Sequence, residues 1–235
     1  MNDSLDRVHC CDCLRLTKSL PDNCIDLLLT SPPYNSGRGK VGGFATGTYD
    51  IYNDQQDEKT YQHELMVRMK AFYRVLKPTG SMFIVIGQRA IKCRLVYPYW
   101  ISQIPGMKLN GVLIRRFKNS PQVRPVRFYP RHEPIFWLYK EWPPYFDKTA
   151  ARLGDVWDIS PEPDRRHPSK MPSEMVRRII LACSRPGDTV FDPFNGLGTT
   201  CIEAKKLKRH YLGCDISPKY CRIARELLKK IKTEK

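Results

Sequence analysis

The sequence predicts an α/β domain with a mostly parallel sheet. Three observations predict it. Short apolar or β-branched runs alternate with stretches of helical spacing along most of the chain. The run Ile25–Thr30 ends in the rigid turn Ser31-Pro32-Pro33-Tyr34, and the run Thr189–Asp192 ends in a glycine turn that opens into a helix. Polar turns at the carboxyl ends of buried strands are where α/β sheets carry their chemistry.

In chain order, residues 7–11 form a short strand ending at Asp12, residues 14–20 a helix, and Pro21-Asp22-Asn23 a turn into the strand 25–30. Residues 35–57 hold Gly37, Gly39, Gly42, Gly43 and Gly47 with Arg38 and Lys40, and read as a mobile loop. It is either a lid or clamp over a substrate, or a disordered surface loop. Leu65, Met69, Phe72 and Leu76 repeat at helical spacing, and Lys77-Pro78-Thr79-Gly80 turns into a strand over 81–87. Residues 111–117 and 133–140 read as the two strands of a hairpin. Ser173 caps a helix running to Cys183, and a strand over 210–214 ends at Asp215. Ser217-Pro218 opens a last helix with Tyr220, Ile223, Ala224, Leu227 and Ile231 on one face. Its Lys229, Lys230 and Lys232 form a solvated end.

Two prolines fix φ and remove two N–H donors, so the turn offers carbonyls and the Ser31 hydroxyl as acceptors beside the Tyr34 ring. Such a surface suits a flat ring carrying an exocyclic amine; a plain proline turn is the alternative. In Asp192-Pro193-Phe194-Asn195-Gly196-Leu197-Gly198-Thr199-Thr200 the glycines allow close approach of a ligand, and Thr199 and Thr200 can bond open N–H groups at the helix start. Asp215 follows at the roughly 20-residue spacing at which an acidic residue accepts ribose hydroxyls. Loop and acidic strand end together read as a nucleotide-like cofactor site.

As a set these residues resemble the amino-methyltransferases of DNA bases, with their [Asp/Asn/Ser]-Pro-Pro-Tyr motif and Phe-x-Gly-x-Gly loop. The resemblance implies a Rossmann-like fold, its mostly parallel sheet carrying an antiparallel edge hairpin, that uses S-adenosyl-L-methionine. The catalytic turn precedes the cofactor loop, which resembles the circularly permuted β group, and the Ser form is typical of N4-cytosine enzymes. His167-Pro168-Ser169-Lys170-Met171-Pro172 is similar to the cofactor-side motif, so the resemblance spans nearly the whole chain. It implies catalytic roles for Ser31, Pro32, Pro33 and Tyr34. Cofactor contacts are implied for Asp192, Phe194, Asn195, Gly196, Gly198, Thr199, Thr200 and Asp215, with Asp12 on the adenine and Ser169 or Lys170 near the polar end. At Asp12 the chain carries Cys11 where the family more often has Gly, and a surface turn is the alternative there. The target base would be flipped out of the duplex onto Tyr34.

The chain reads as one domain over residues 1–235, with a short target-recognition insert at 141–166 aided by 115–131. Its 40 basic and 24 acidic residues give a formal charge of +16, which points to nucleic acid, DNA or RNA, rather than a small neutral substrate, and the resemblance implies double-stranded DNA. Arg115, Arg116, Lys118, Arg124, Arg127 and Arg131, interleaved with Phe117, Phe128 and Tyr129, favour phosphate contact with stacking, and Arg38 and Lys40 join them. Arg165 and Arg166 either meet phosphate or stay solvated; Trp157 and Asp158 either line the cofactor pocket or pack. Nine cysteines, an odd number placed in apolar strands, read as reduced thiols of a cytoplasmic chain without a metal site. No Cys neighbours the catalytic turn, which disfavours a thiolate mechanism on ring carbon. No membrane segment is expected. The partners expected are DNA and a cognate restriction endonuclease, with the chain a monomer or homodimer. N6-adenine methylation, RNA methylation and a catalytically silent nucleic-acid-binding module are the alternatives.

Overall fold

The structure, a computed structural model, describes residues 4–36, 49–91, 94–118, 128 and 130–231. β1 (Arg7–Cys10) leads through α1 (Cys13–Ser19) to β2 (Ile25–Thr30), and α2 (Glu58–Val75) runs directly into β3 (Leu76–Val85). A small hairpin of β4 (Arg89–Ile91) and β5 (Arg94–Val96) precedes β6 (Lys108–Arg116), β7 (His132–Tyr139) and β8 (Val156–Asp158). The chain closes with α3 (Ser173–Cys183), β9 (Thr189–Asp192), α4 (Thr199–Lys206), β10 (His210–Asp215) and α5 (Pro218–Lys229).

Eight strands form one sheet in the order β1-β10-β9-β2-β3-β7-β6-β8. The first five are parallel, β7 runs against both β3 and β6, and β8 adds parallel to β6. This is the Rossmann-like, mostly parallel sheet with an antiparallel edge that the sequence predicts. Helices cover both faces, as a parallel sheet requires. Along β2, Leu28 packs with α1 and α2, while Leu27 and Leu29 on the other face join α3, α4 and α5. β9 and β2 lie side by side at the centre, with Leu27 opposite Val190 and Leu28 opposite Phe191. From that line the chain winds outward in both directions, through α4 to β10 and through α2 to β3. The crevice at the carboxyl ends of such diverging strands is where open α/β sheets bind ligands.

Three local expectations are corrected. Lys77-Pro78-Thr79-Gly80 does not stand apart as a turn but lies within β3, where the register slips from Ile25 opposite Leu76 to Leu27 opposite Ser81. Ser173 does not cap α3: Pro172 holds the cap position, and the Ser173 N–H donates to the Glu162 carboxylate at 2.7 Å. A carboxylate from outside the helix is the stronger acceptor for that open N–H. Nor do Thr199 and Thr200 cap α4, which begins at Gly198 in the left-handed conformation without a side-chain cap. Ser217 does cap α5, accepting the Tyr220 N–H at 3.1 Å.

The segment 141–166 is in large part structural. The Glu141 N–H donates to the Pro78 carbonyl, Tyr145 to Thr79 and Asp147 to Ala182, and Phe146 lies against Trp137 with ring centroids 5.3 Å apart. Trp157 is buried among α3 residues and Asp158 pairs with Arg116 at the surface. The eight described cysteines are free thiols. No helix among the described residues is long and apolar enough to cross a membrane.

Candidate active site

Ser31-Pro32-Pro33-Tyr34 leaves the end of β2 and is fixed from four sides. The Tyr61 hydroxyl, from α2, donates to the Pro33 carbonyl at 2.7 Å. Arg89 donates to the Tyr34 carbonyl, pairs with Glu58, and lies over the Tyr61 ring 4.6 Å from its centroid. Beyond the turn, Asn35 adopts a left-handed φ of 55°, and the Asp54 carboxylate accepts the N–H groups of Asn35 and Ser36 at 2.8 and 3.1 Å. With Pro33 and Tyr34 carbonyls taken, the Pro32 carbonyl accepts no hydrogen bond from the described residues.

The Tyr34 hydroxyl donates to Glu133 Oε1 at 2.7 Å and lies 3.1 Å from the Ser31 hydroxyl. Its ring packs on Gly87, where a Cβ would come within 3.3 Å of it. Burial, then the Glu133 carboxylate, push the Tyr34 phenol well above its ordinary range, so it stays protonated.

The turn after β9 meets this one across the central strand pair. The Asp192 carboxylate is buried beneath both: it accepts the Thr30 hydroxyl at 2.6 Å, the Thr200 hydroxyl at 2.7 Å and the Phe194 N–H at 3.1 Å. It faces no cleft and stitches the ends of β2, β9 and α4 together. Asn195 is also held from below, its N–H on the Cys214 carbonyl and its Oδ1 accepting the Cys201 thiol.

Above lies a cleft lined by Asp12, Asp50, Glu64, Arg68, Phe194, Gly196, Thr199, Asp215, Ile216 and Tyr220, with Ser31 and Pro33 at one end. Gly196 has a φ of 48° and turns its N–H onto Asp215 Oδ2 at 2.9 Å, while Oδ1 accepts the Ser217 N–H at 2.9 Å. Burial, outweighing these hydrogen bonds, raises the Asp215 pKa, and the nearby Asp50 carboxylate adds to it. Asp12 caps α1, accepting the Leu14 N–H at 2.7 Å, and also reaches Arg68 at 3.5 Å. Ser169 and Lys170 line the cleft, but the Lys170 ammonium is held by Glu162 at 2.5 Å. Gly198, Thr200 and Asp192 lie outside the lining and support it.

A cleft with a nucleotide-type glycine turn and four carboxylates, lined also by residues of the Ser31-Pro32-Pro33-Tyr34 turn, is matched by comparison with known proteins. The model of the DNA methylase family, the N6/N4 methyltransferases, matches residues 25–226. The chain belongs to this family. It is 30% identical over 261 residues to the type II methyltransferase M.HinfI of Haemophilus influenzae, covering 99% of this chain and 70% of the relative. With M.BglII of Bacillus subtilis it shares 29% over 263 residues, covering 95% and 69%. Among solved structures, TTHA0409 of Thermus thermophilus in complex with S-adenosyl-L-methionine superposes with a TM-score of 0.72 at 24% identity, over 95% of this chain and 93% of that one. The cytosine-N4-specific PvuII DNA methyltransferase superposes with a TM-score of 0.73 at 20% identity, over 96% and 87%.

The methyl donor of this family is S-adenosyl-L-methionine. The cleft suits that cation: its lining is rich in carboxylates, and Phe194 and Ile216 offer apolar faces.

Of the basic residues expected at DNA, Arg38, Lys40, Arg124 and Arg127 lie outside the described residues. Lys118 and Arg131 are exposed, and Arg116 is exposed but paired with Asp158 at 2.6 Å. Arg166 is likewise paired, with Asp164. Arg115 is corrected: it is buried, donating to Glu133 at 2.8 Å and to the Ile159 carbonyl at 3.3 Å, and cannot meet phosphate. The alternation along β6 sends Arg115 inward and Arg116 outward. Tyr61, Arg89 and Glu133 escape sequence reasoning because each reaches the site from another element and carries no local motif, and Asp50 and Asp54 because nothing marks single residues within the segment 35–57.

Proposed function

We propose that the chain methylates the exocyclic N4 of cytosine in duplex DNA. The observation that carries this is the Ser31 hydroxyl, which lines an acidic cleft and bonds Tyr34, next in the turn to a Pro32 carbonyl that accepts no hydrogen bond from the described residues. When bound there, S-adenosyl-L-methionine supplies a methyl group activated on a sulfonium.

The residues of the chain do the rest. Tyr34 presents a ring on which a flipped base can stack. Ser31 and the Pro32 carbonyl accept the two amine hydrogens, which draws the nitrogen toward tetrahedral geometry and frees its lone pair from the ring. The nitrogen gains the methyl as the donor's sulfonium–methyl bond breaks, and it releases one proton to water. Asp215 would hold ribose hydroxyls, Asp12 the adenine amine, and Gly196 the close approach of the cofactor chain. Asp192, Gly198 and Thr200 act from beneath, by holding the loop. Acceleration comes from alignment and fixed dipoles rather than from a covalent enzyme intermediate.

A neutral hydroxyl in the first position of the turn supports cytosine, in line with the resemblance. Relatives that are type II methyltransferases support a place in restriction-modification beside a cognate endonuclease. Of the cations expected at DNA, Lys118 and Arg131 are exposed and would meet the DNA backbone. Incubation with duplex DNA and labelled cofactor, digestion to nucleosides and mass spectrometry tests the reading. N4-methylcytosine is expected; N6-methyladenine overturns the choice of base, and no methylated nucleoside overturns the activity.

A further inference from the structure

Arg115 and Glu133 stand directly opposite each other on β6 and β7, and their ion pair ends at the Tyr34 hydroxyl. Four side chains thus form one line: Arg115, Glu133, Tyr34, Ser31. Direction along this line is not free. A guanidinium only donates, a carboxylate only accepts, and so the one Tyr34 proton is committed to Glu133. The Tyr34 oxygen can then only accept from Ser31, whose proton is drawn away from the cleft. Both side chains of the ion pair are largely shielded from water, at 10% and 16% exposure, so solvent does not compete for either end.

We propose that Glu133, backed by Arg115, is a positioning residue that sets the polarity of Ser31, leaving its oxygen with only lone pairs to offer the target amine. This rests on the methyl-transfer reading above. The amine presents hydrogens, so a Ser31 proton turned toward it would set donor against donor.

Glu133→Gln tests the direction with almost no change of shape. Arg115 would claim the amide oxygen, and the amide N–H₂ would face Tyr34. Tyr34 must then donate to Ser31, and Ser31 toward the amine. The expected result is a fall in the single-turnover rate of about tenfold to a hundredfold, with cofactor affinity by calorimetry and melting temperature little changed. Tyr34→Phe, which removes the relay but keeps the ring, should cost less. Adding Tyr34→Phe to Glu133→Gln should restore the rate to that of Tyr34→Phe alone, since the reversed chain is cut. Equal losses from Glu133→Gln with and without the Tyr34 hydroxyl would overturn the proposal, as would full activity of Glu133→Gln.

A second readout does not depend on methyl transfer. With a fluorinated tyrosine placed at position 34 alone, the phenol titration followed by fluorine NMR should move down when Glu133→Gln removes the facing carboxylate. An unmoved midpoint overturns the chain of bonds. If the unaltered protein methylates no DNA, the functional reading fails by itself, and this titration alone decides whether Glu133 governs the Tyr34 hydroxyl.

Discussion

Burial raises the Asp192 carboxyl to about 6 from 3.8, although the Thr30 and Thr200 hydroxyls and the Phe194 N–H all favour its charged form. Between about pH 4 and pH 6 the folded chain therefore holds a proton that the unfolded chain has lost. Stability falls as pH rises through that window, by about 2–3 kcal/mol in total, and is flat above it. Asp192→Asn cannot ionise and should remove that part of the slope, as read from denaturant midpoints between pH 4 and 8; an unchanged slope would mean that Asp192 titrates normally. At Ser31 the readout is different. On the proposed reading Ser31→Ala takes away an acceptor for the reacting amine, so turnover should fall by about two orders of magnitude while cofactor affinity stays within about twofold. Comparable losses in both would place Ser31 in the cofactor site instead. Ser31 and Tyr34 were legible in the sequence because a proline turn declares its own geometry. Glu133 was not, because the contact that gives it a role spans 99 residues.

Elements carried by local chemistry were also legible. β2, β9 and β10 show as apolar runs with marked ends, and α5 shows through the Ser217-Pro218 start. Faces were harder. The basic run from Arg115 looked uniform, yet period-two alternation in β6 buries one arginine and exposes the next. Gly213 is a similar case: nothing in the sequence marks it, but it lies in β10 beneath the cofactor loop. A Cβ there would stand 2.5 Å from Asn195 Oδ1 and 2.7 Å from Cys201 Sγ. The missing side chain is what lets Asn195 sink under the loop. Gly213→Ala should cost about 1–3 kcal/mol of stability and weaken cofactor binding by about tenfold or more. Gly111→Ala, a strand glycine with open space around its Cβ position, is the matched control and should change neither. Calorimetry and thermal melts on the two variants decide it; equal behaviour would show that the space below the loop is not what shapes it.

At the scale of the whole molecule, the order of motifs along the chain and their adjacency in space have one cause. β2 and β9 are neighbours although 162 residues separate Thr30 from Asp192, so the acceptor turn and the glycine turn open onto one crevice. The permuted order was readable from the sequence; the depth to which Arg115 sinks was not, because net charge does not tell which cations face solvent. That distinction can be measured. A chain of formal charge +16 should bind duplex DNA with an affinity that falls steeply with salt, the slope of log K against log salt growing by about 0.9 for each phosphate neutralised. Lys118→Ala and Arg131→Ala, which remove exposed cations, should each weaken binding and flatten that slope by about one. Arg115→Ala removes the same formal charge but leaves Glu133 buried without its partner. It should leave the slope unchanged while slowing methyl transfer, because its cation faces Glu133 rather than DNA. A drop in slope for Arg115→Ala equal to that of Lys118→Ala would place Arg115 at the DNA backbone and separate it from the Tyr34 turn.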